Sequence, residues 1–212
     1  MFNVGSERIA RHLPKGFVAT HRKPGSNTLY LTFDDGPNAT YTQPLCDLLD
    51  RYKVKATFFC IGKHIDQSPE IAEDLLQRGH LLANHSQNHK AFSKLSLEKQ
   101  LEEIENCQLA IQRLNPASPK VFRAPQGHLS VSLLLRLKQK GWKVVHWSYD
   151  SHDYEFKQVT PLMAYIENKP VTDGDVLLFH DDAQVALDAL ERLLPKWIEE
   201  GYSFETVDKL IA

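Results

Sequence analysis

Asp34 and Asp35 stand side by side after an apolar run, residues 29–33, and Gly36-Pro37 turns the chain immediately beyond them. Adjacent carboxylates repel unless a cation shares their surroundings. The pair therefore asks which positive centre it faces. His85 and His89 lie four residues apart, so one helical turn points both imidazoles the same way. On their own, two solvated or core histidines would read the same. With Asp35 at the same rim they offer two nitrogens and one carboxylate, which leaves open positions on a divalent ion as catalytic sites do. Such a set suits zinc, and equally iron, cobalt, nickel or manganese. Arg123, Asp150, Asp153 and His180 add a cation, two carboxylates and a third imidazole further along.

Each of these residues follows a segment patterned as a strand. Residues 29–33 precede the aspartate pair, 80–84 precede His85, 120–123 end in Arg123, 142–147 precede Asp150 and 175–180 end in His180, with 56–61 as a further strand. Helical patterns lie between them. Residues 41–52 place Leu45, Leu48 and Leu49 on one face. Ser68, Pro69 and Gly79 read as N-cap, first turn and stop of another helix. Ser96 opens a helix to Asn115, Ser130 one that ends at Gly141, and Thr160-Pro161 one more. A helix from Gln184 is expected to break or kink near Pro195, which removes an interior hydrogen bond. Residues 203–205 suggest a last short strand and 207–211 a closing helix, while 148–158 read as irregular and polar. About seven strands alternating with helices predict a single-domain α/β protein with a parallel sheet. Seven units in one domain suggest an incomplete β/α barrel, with a doubly wound open sheet as the alternative. All the reactive residues fall at carboxyl ends of strands, the face where β/α barrels assemble active sites.

The chain has 212 residues, 42% hydrophobic and 25% charged, with a net charge of −2. That is enough to bury a large core, and the charge balance argues against nucleic acid as a partner of the whole chain. Cys46, Cys60 and Cys107 are odd in number and lack metal-ligand spacing, so they read as small buried hydrophobes rather than a disulfide framework. No run has transmembrane length, and residues 1–20 lack the apolar centre of a signal peptide. Taken literally, the chain is expected to be cytoplasmic; a trimmed leader would make it secreted or periplasmic. Residues 1–27 form a basic segment, in which Ile9, Leu13 and Phe17 recur at fours. A short amphipathic helix there would flank the barrel, or make weak contact with an anionic membrane surface. Residues 28–212 then form the domain that carries all of the reactive residues.

The motifs Thr32-Phe33-Asp34-Asp35-Gly36, His85-Ser86-x-x-His89, Arg123-x-Pro125-x-Gly127, Asp150-x-x-Asp153 and Leu178-x-His180 occur in the order found in the polysaccharide deacetylases. The chain resembles this family, carbohydrate esterase family four, which includes the nodulation-type chitooligosaccharide deacetylases, over about residues 28–205. The resemblance implies a distorted seven-unit barrel and a hydrolase that removes acetyl groups, N-linked or O-linked, from an amino-sugar glycan or sugar precursor. It implies one divalent metal, most naturally Zn2+, held by Asp35, His85 and His89, and Asp34 as the base that activates the attacking water. Arg123 would orient Asp34 and keep it ionised by lowering its pKa. His180 would be the acid that protonates the leaving amine, supported by Asp150, with Asp153 as second choice. A backbone N–H near Gln126 would help stabilise the oxyanion, and Trp147 and Tyr154 would line a sugar groove.

The chain departs from the family pattern at two places. Gln126 replaces the usual aromatic of the third motif, and Tyr154 replaces the usual tryptophan after the fourth. Both bear on the substrate and leave the hydrolytic set intact. His128, His146 and His152 read as exposed loop or strand histidines, and Asp181-Asp182 as a solvated pair or a helix start. Two other functions stay open on the residues: a non-catalytic carbohydrate-binding barrel, and an iron oxygenase using two histidines and a carboxylate.

Overall fold

The computed structural model of the chain describes residues 18–20 and 25–211. The strands are β1 (Val18–Ala19), β2 (Thr28–Asp34), β3 (Thr57–Cys60), β4 (Leu81–Asn84), β5 (Val121–Phe122), β6 (Lys143–Val145), β7 (Tyr149–Asp150), β8 (Val176–His180) and β9 (Ser203–Phe204). They pair in the order β1-β6-β5-β4-β3-β2-β8-β7, with β9 against the start of β2, and every pairing is parallel. The helices are α1 (Thr42–Arg51), α2 (Gly62–Gln67), α3 (Pro69–Gln77), α4 (Leu97–Leu114), α5 (Val131–Gln139), α6 (Val159–Asn168), α7 (Gln184–Glu199) and α8 (Val207–Leu210).

β6 and β7 are consecutive in the chain yet lie near opposite ends of the strand order. Only residues 146–148 join them, a span of roughly 14 Å at full extension. The sheet must therefore curl until its two ends nearly meet. The result is the distorted (β/α)7 barrel expected from the alternation.

Strand alternation explains which side chains enter the barrel. Leu29, Leu31 and Phe33 of β2 pack outward with Leu45, Leu49, Leu190 and Leu194 of α1 and α7. Tyr30 faces the other way, with Phe59, Ala83, Val121, Val145 and Val176. A period of two then carries Thr32 and Asp34 to the inner side, as it does Arg123 beyond Val121 and His180 beyond Val176. The chemistry-bearing residues thus share the inward parity of the small inner core, one step past its top.

Several local expectations need correction. Ser68 stands at the N-cap of α3 without a side-chain cap bond, whereas Ser96 and Ser130 accept from Lys99 N and Leu133 N at 3.4 and 3.1 Å. Pro195 lies inside a continuous α7, where Leu193, Leu194 and Trp197 are buried on both sides of it and hold the helix across the missing bond. α2 and β7 were not foreseen. The amphipathic helix expected around Ile9–Phe17 lies outside the described residues, but Val18–Ala19 pairs with β6, so the sheet reaches back into the basic segment. All three cysteines are free and buried. No helix among the described residues is long and apolar enough to cross a membrane.

Candidate active site

Asp34 ends β2 between β3 and β8, in register with Phe59 and His180. Its Oδ1 accepts from Arg123 Nη1 at 2.7 Å, and the same nitrogen donates to Thr32 Oγ1 at 2.7 Å. Arg123 is only 1% exposed, and its guanidinium lies 4.0 Å over the Phe59 ring. The pair is thus shut away from water. Burial pushes the Asp34 carboxyl above the ordinary carboxylate range, and the opposing charge of Arg123 only restrains that rise. Arginine lowers the carboxyl as expected, but desolvation outweighs the ion pair and the net shift is upward.

Asp35 turns off the strand with φ 77°, and Ser86 and His89 also have positive φ, 69° and 51°. These turns bring three ligand atoms of Asp35, His85 and His89 within 4.8 Å of one another. Asp35 Oδ1 lies 3.5 Å from His85 Nε2 and 3.2 Å from His89 Nε2. It is buried and has no hydrogen-bond partner. An acceptor so placed between two imidazole nitrogens fits a cation bound by all three, so the residues present suit the expected divalent metal. His85 Nδ1 donates to Arg123 O at 2.9 Å, which frees Nε2 as a ligand, and burial pulls this imidazole down to about 3. The loop is held from behind as well. Ser86 Oγ accepts from His89 N at 3.1 Å, and the buried Glu103 of α4 accepts from Asn88 N and Nδ2 at 2.7 and 2.9 Å.

Across the mouth, His180 Nδ1 donates to Asp153 Oδ1 at 2.9 Å, while its backbone N–H donates to Asp153 Oδ2 at 2.7 Å. The carboxylate against His180 is therefore Asp153, and the first choice, Asp150, is corrected. Asp150 instead accepts from His152 N at 2.9 Å and from Tyr154 OH at 3.3 Å. The physical reason is His152 at φ 57°, which swings the chain so that Asp153 enters the barrel with only 2% exposure. Burial alone would pull His180 down. The hydrogen bond and charge of Asp153, with the charges of Asp34 and Asp35, outweigh burial and raise it to about 9. A carboxylate on a cation, a three-ligand cluster and an imidazole on a carboxylate thus face one mouth, a set that can take a proton on one side and give one on the other.

Residues 21–145 match the family described as polysaccharide deacetylase. A peptidoglycan-N-acetylglucosamine deacetylase of Bacillus cereus is 32% identical over 203 residues, covering 93% of this chain and 94% of that protein. The chain belongs to the polysaccharide deacetylase family. The solved Bc1960 peptidoglycan N-acetylglucosamine deacetylase, in complex with a hydroxamate, superposes with a TM-score of 0.87 at 26% identity, over 92% of each chain. The BA3943 CE4-family pseudoenzyme of Bacillus anthracis has a TM-score of 0.85 at 19% identity, covering 94% of this chain and 70% of that one. That likeness is one of fold alone.

The residues expected to line the substrate groove are Gln126, Trp147 and Tyr154. Gln126 is exposed at φ 55°, and Trp147 is half-buried with Arg123 5.7 Å from its ring. Tyr154 is exposed, and its ring stands edge-on to that of His180 at 5.3 Å. His146 is buried rather than exposed. Its Nδ1 accepts from Trp147 N at 2.9 Å, and burial pulls it down to about 3. Asp181 is also buried rather than solvated. Its Oδ2 accepts from Thr42 Oγ1 at 2.5 Å, and burial raises it to about 7. A Cβ on Gly36 would lie 2.2 Å from that carboxylate, so the turn after the aspartate pair requires glycine there. Glu103 was not foreseen. The signal was present, since a glutamate within the apolar stripe of Ile104, Cys107 and Ile111 is a buried charge in need of partners.

Proposed function

We propose that this chain is a divalent-metal-dependent hydrolase that removes the N-acetyl group from N-acetylglucosamine units of a peptidoglycan-type glycan. The observation that carries the reading is Asp35 Oδ1, buried, unpartnered and set between two imidazole nitrogens. The bound ion, for which zinc suits two imidazoles and one carboxylate, would lower the pKa of water and polarise the acyl carbonyl. Asp34, oriented by Arg123, takes a proton from the water as its oxygen attacks the carbonyl carbon. His180 carries its remaining proton on Nε2, because Nδ1 is bound to Asp153, and gives it to the amide nitrogen as the C–N bond breaks. Acetate and a free amine leave. The backbone at Gln126 is the proposed oxyanion contact, and Trp147 and Tyr154 the walls of the sugar groove.

Zinc-loaded protein is expected to release acetate from N-acetylglucosamine oligomers or peptidoglycan fragments, to lose that release on chelation, and to regain it when the ion is restored. Undiminished release after complete stripping would refute the metal-dependent reading.

The raised His180 sets the alkaline limit. The acid form is needed, so kcat/KM should fall as pH rises through about 9. Asp153→Asn removes the charge that outweighs burial, so the alkaline limb should move to lower pH. An unmoved limb in that variant would contradict the proposed support of His180.

A further inference from the structure

We infer that α2 sets the distance between the two metal-ligand loops, and that His64 is its positioning side chain. The inference rests on the function proposed above, since it concerns the same cluster. The N–H groups at the start of a helix have no partners within it, and here they reach two different loops. Ile61 N donates to Gly36 O at 2.9 Å, Gly62 N to Ser86 O at 3.0 Å, and Lys63 N to Gln87 O at 2.9 Å. One side of α2 therefore holds the loop that carries Asp35, and the other holds the loop that carries His85 and His89. The approach is so close that a Cβ on Gly62 would lie 2.1 Å from Gln87 Oε1 and 2.9 Å from Cys107 Cα. Only glycine allows it.

His64 completes the hold. Its Nδ1 donates to the backbone oxygen of Asp35 at 2.8 Å, while Asp35 N donates to Phe59 O at 3.2 Å. Both backbone polar groups of this residue are therefore fixed, one by β3 and one by α2. Asp35 needs that restraint, because its φ of 77° is a conformation that side-chain-bearing residues rarely adopt. Release of the carbonyl would let the peptide relax, and its carboxylate would turn away from the two imidazoles. His64 lies partly exposed, so its loss is expected to leave the fold intact. Its effect is on the readiness of the ligand set. Partners behind metal ligands typically change affinity by about 10- to 100-fold.

The test is calorimetric titration of the metal-stripped protein with Zn2+, comparing wild type, His64→Ala and His64→Asn. Asparagine keeps an N–H donor near the position of Nδ1. His64→Ala should weaken zinc binding by about 10-fold or more, His64→Asn should regain most of the loss, and the metal-free proteins should melt together. Unchanged affinity in His64→Ala would overturn the inference, and so would equal weakening in both variants. If wild type itself takes up no divalent ion, the proposed function fails and this inference with it. A wild type that binds beside an alanine variant that binds equally well sinks the inference alone.

Discussion

Asp34→Asn should lower kcat for acetate release by about a thousandfold, within the range by which a positioned base accelerates proton transfer. Asparagine keeps the shape of the side chain, and its amide oxygen can still accept from Arg123 Nη1, now 2.7 Å from the carboxylate. What it lacks is a lone pair basic enough to take a proton from water. Asp34 is not one of the three ligand residues, although its Oδ2 lies 3.6 Å from His85 Nε2, so zinc affinity should fall far less than turnover. Steady-state kinetics beside zinc titration separates the two roles of the adjacent aspartates. Asp35→Asn should lose the ion, and Asp34→Asn should keep it and lose turnover. A kcat within tenfold of wild type in Asp34→Asn would remove Asp34 from the reaction.

Arg123→Ala should be the most damaging change to the fold. The guanidinium is fully enclosed, donates to Asp34 and Thr32, and covers the Phe59 ring. Its removal leaves a buried carboxylate without a counter-charge, which typically costs about 3–5 kcal/mol. The carboxyl would respond by holding its proton, since burial already favours the neutral form. Stability and the base would thus be lost together near neutral pH. Urea denaturation measures the first loss, and a destabilisation under about 1 kcal/mol would mean that the pair behaves like a solvated one. The double variant Asp34→Asn/Arg123→Met should recover much of the stability and none of the activity, because a buried ion pair can be replaced as a unit more cheaply than it can be halved.

Much of this site is legible in the sequence. The strand pattern places Asp34, Asp35, His85, His89, Arg123 and His180 at one rim, and the structure brings them to one mouth. Strand parity is strict, so a buried run such as residues 29–33 also fixes which way the next side chain points. Helix α2 was not legible, because six residues beginning at Gly62 carry no apolar periodicity and hold together only through bonds to neighbouring loops. The choice between Asp150 and Asp153 failed for a related reason. Two carboxylates three residues apart on an irregular loop are equivalent until a left-handed residue, His152, decides which one turns inward. Burial misled in the opposite direction at Asp181 and His146, whose polar side chains suggested solvent but which the curled sheet encloses.

Asp35, Ser86, His89, Gln126 and His152 all carry positive φ, and among the described residues only Asn27 and Lys53 join them outside glycine. A left-handed conformation costs a side-chain-bearing residue about 1–2 kcal/mol, and the disordered chain adopts it rarely. The mouth is therefore the region with the least local inclination to take its own shape. It is moulded by the strands and helices behind it. Moving the five motifs as peptides onto another scaffold would carry every one of these side chains and leave behind the bends that make them converge. The unit that holds this geometry is the barrel with its rim, not the motif.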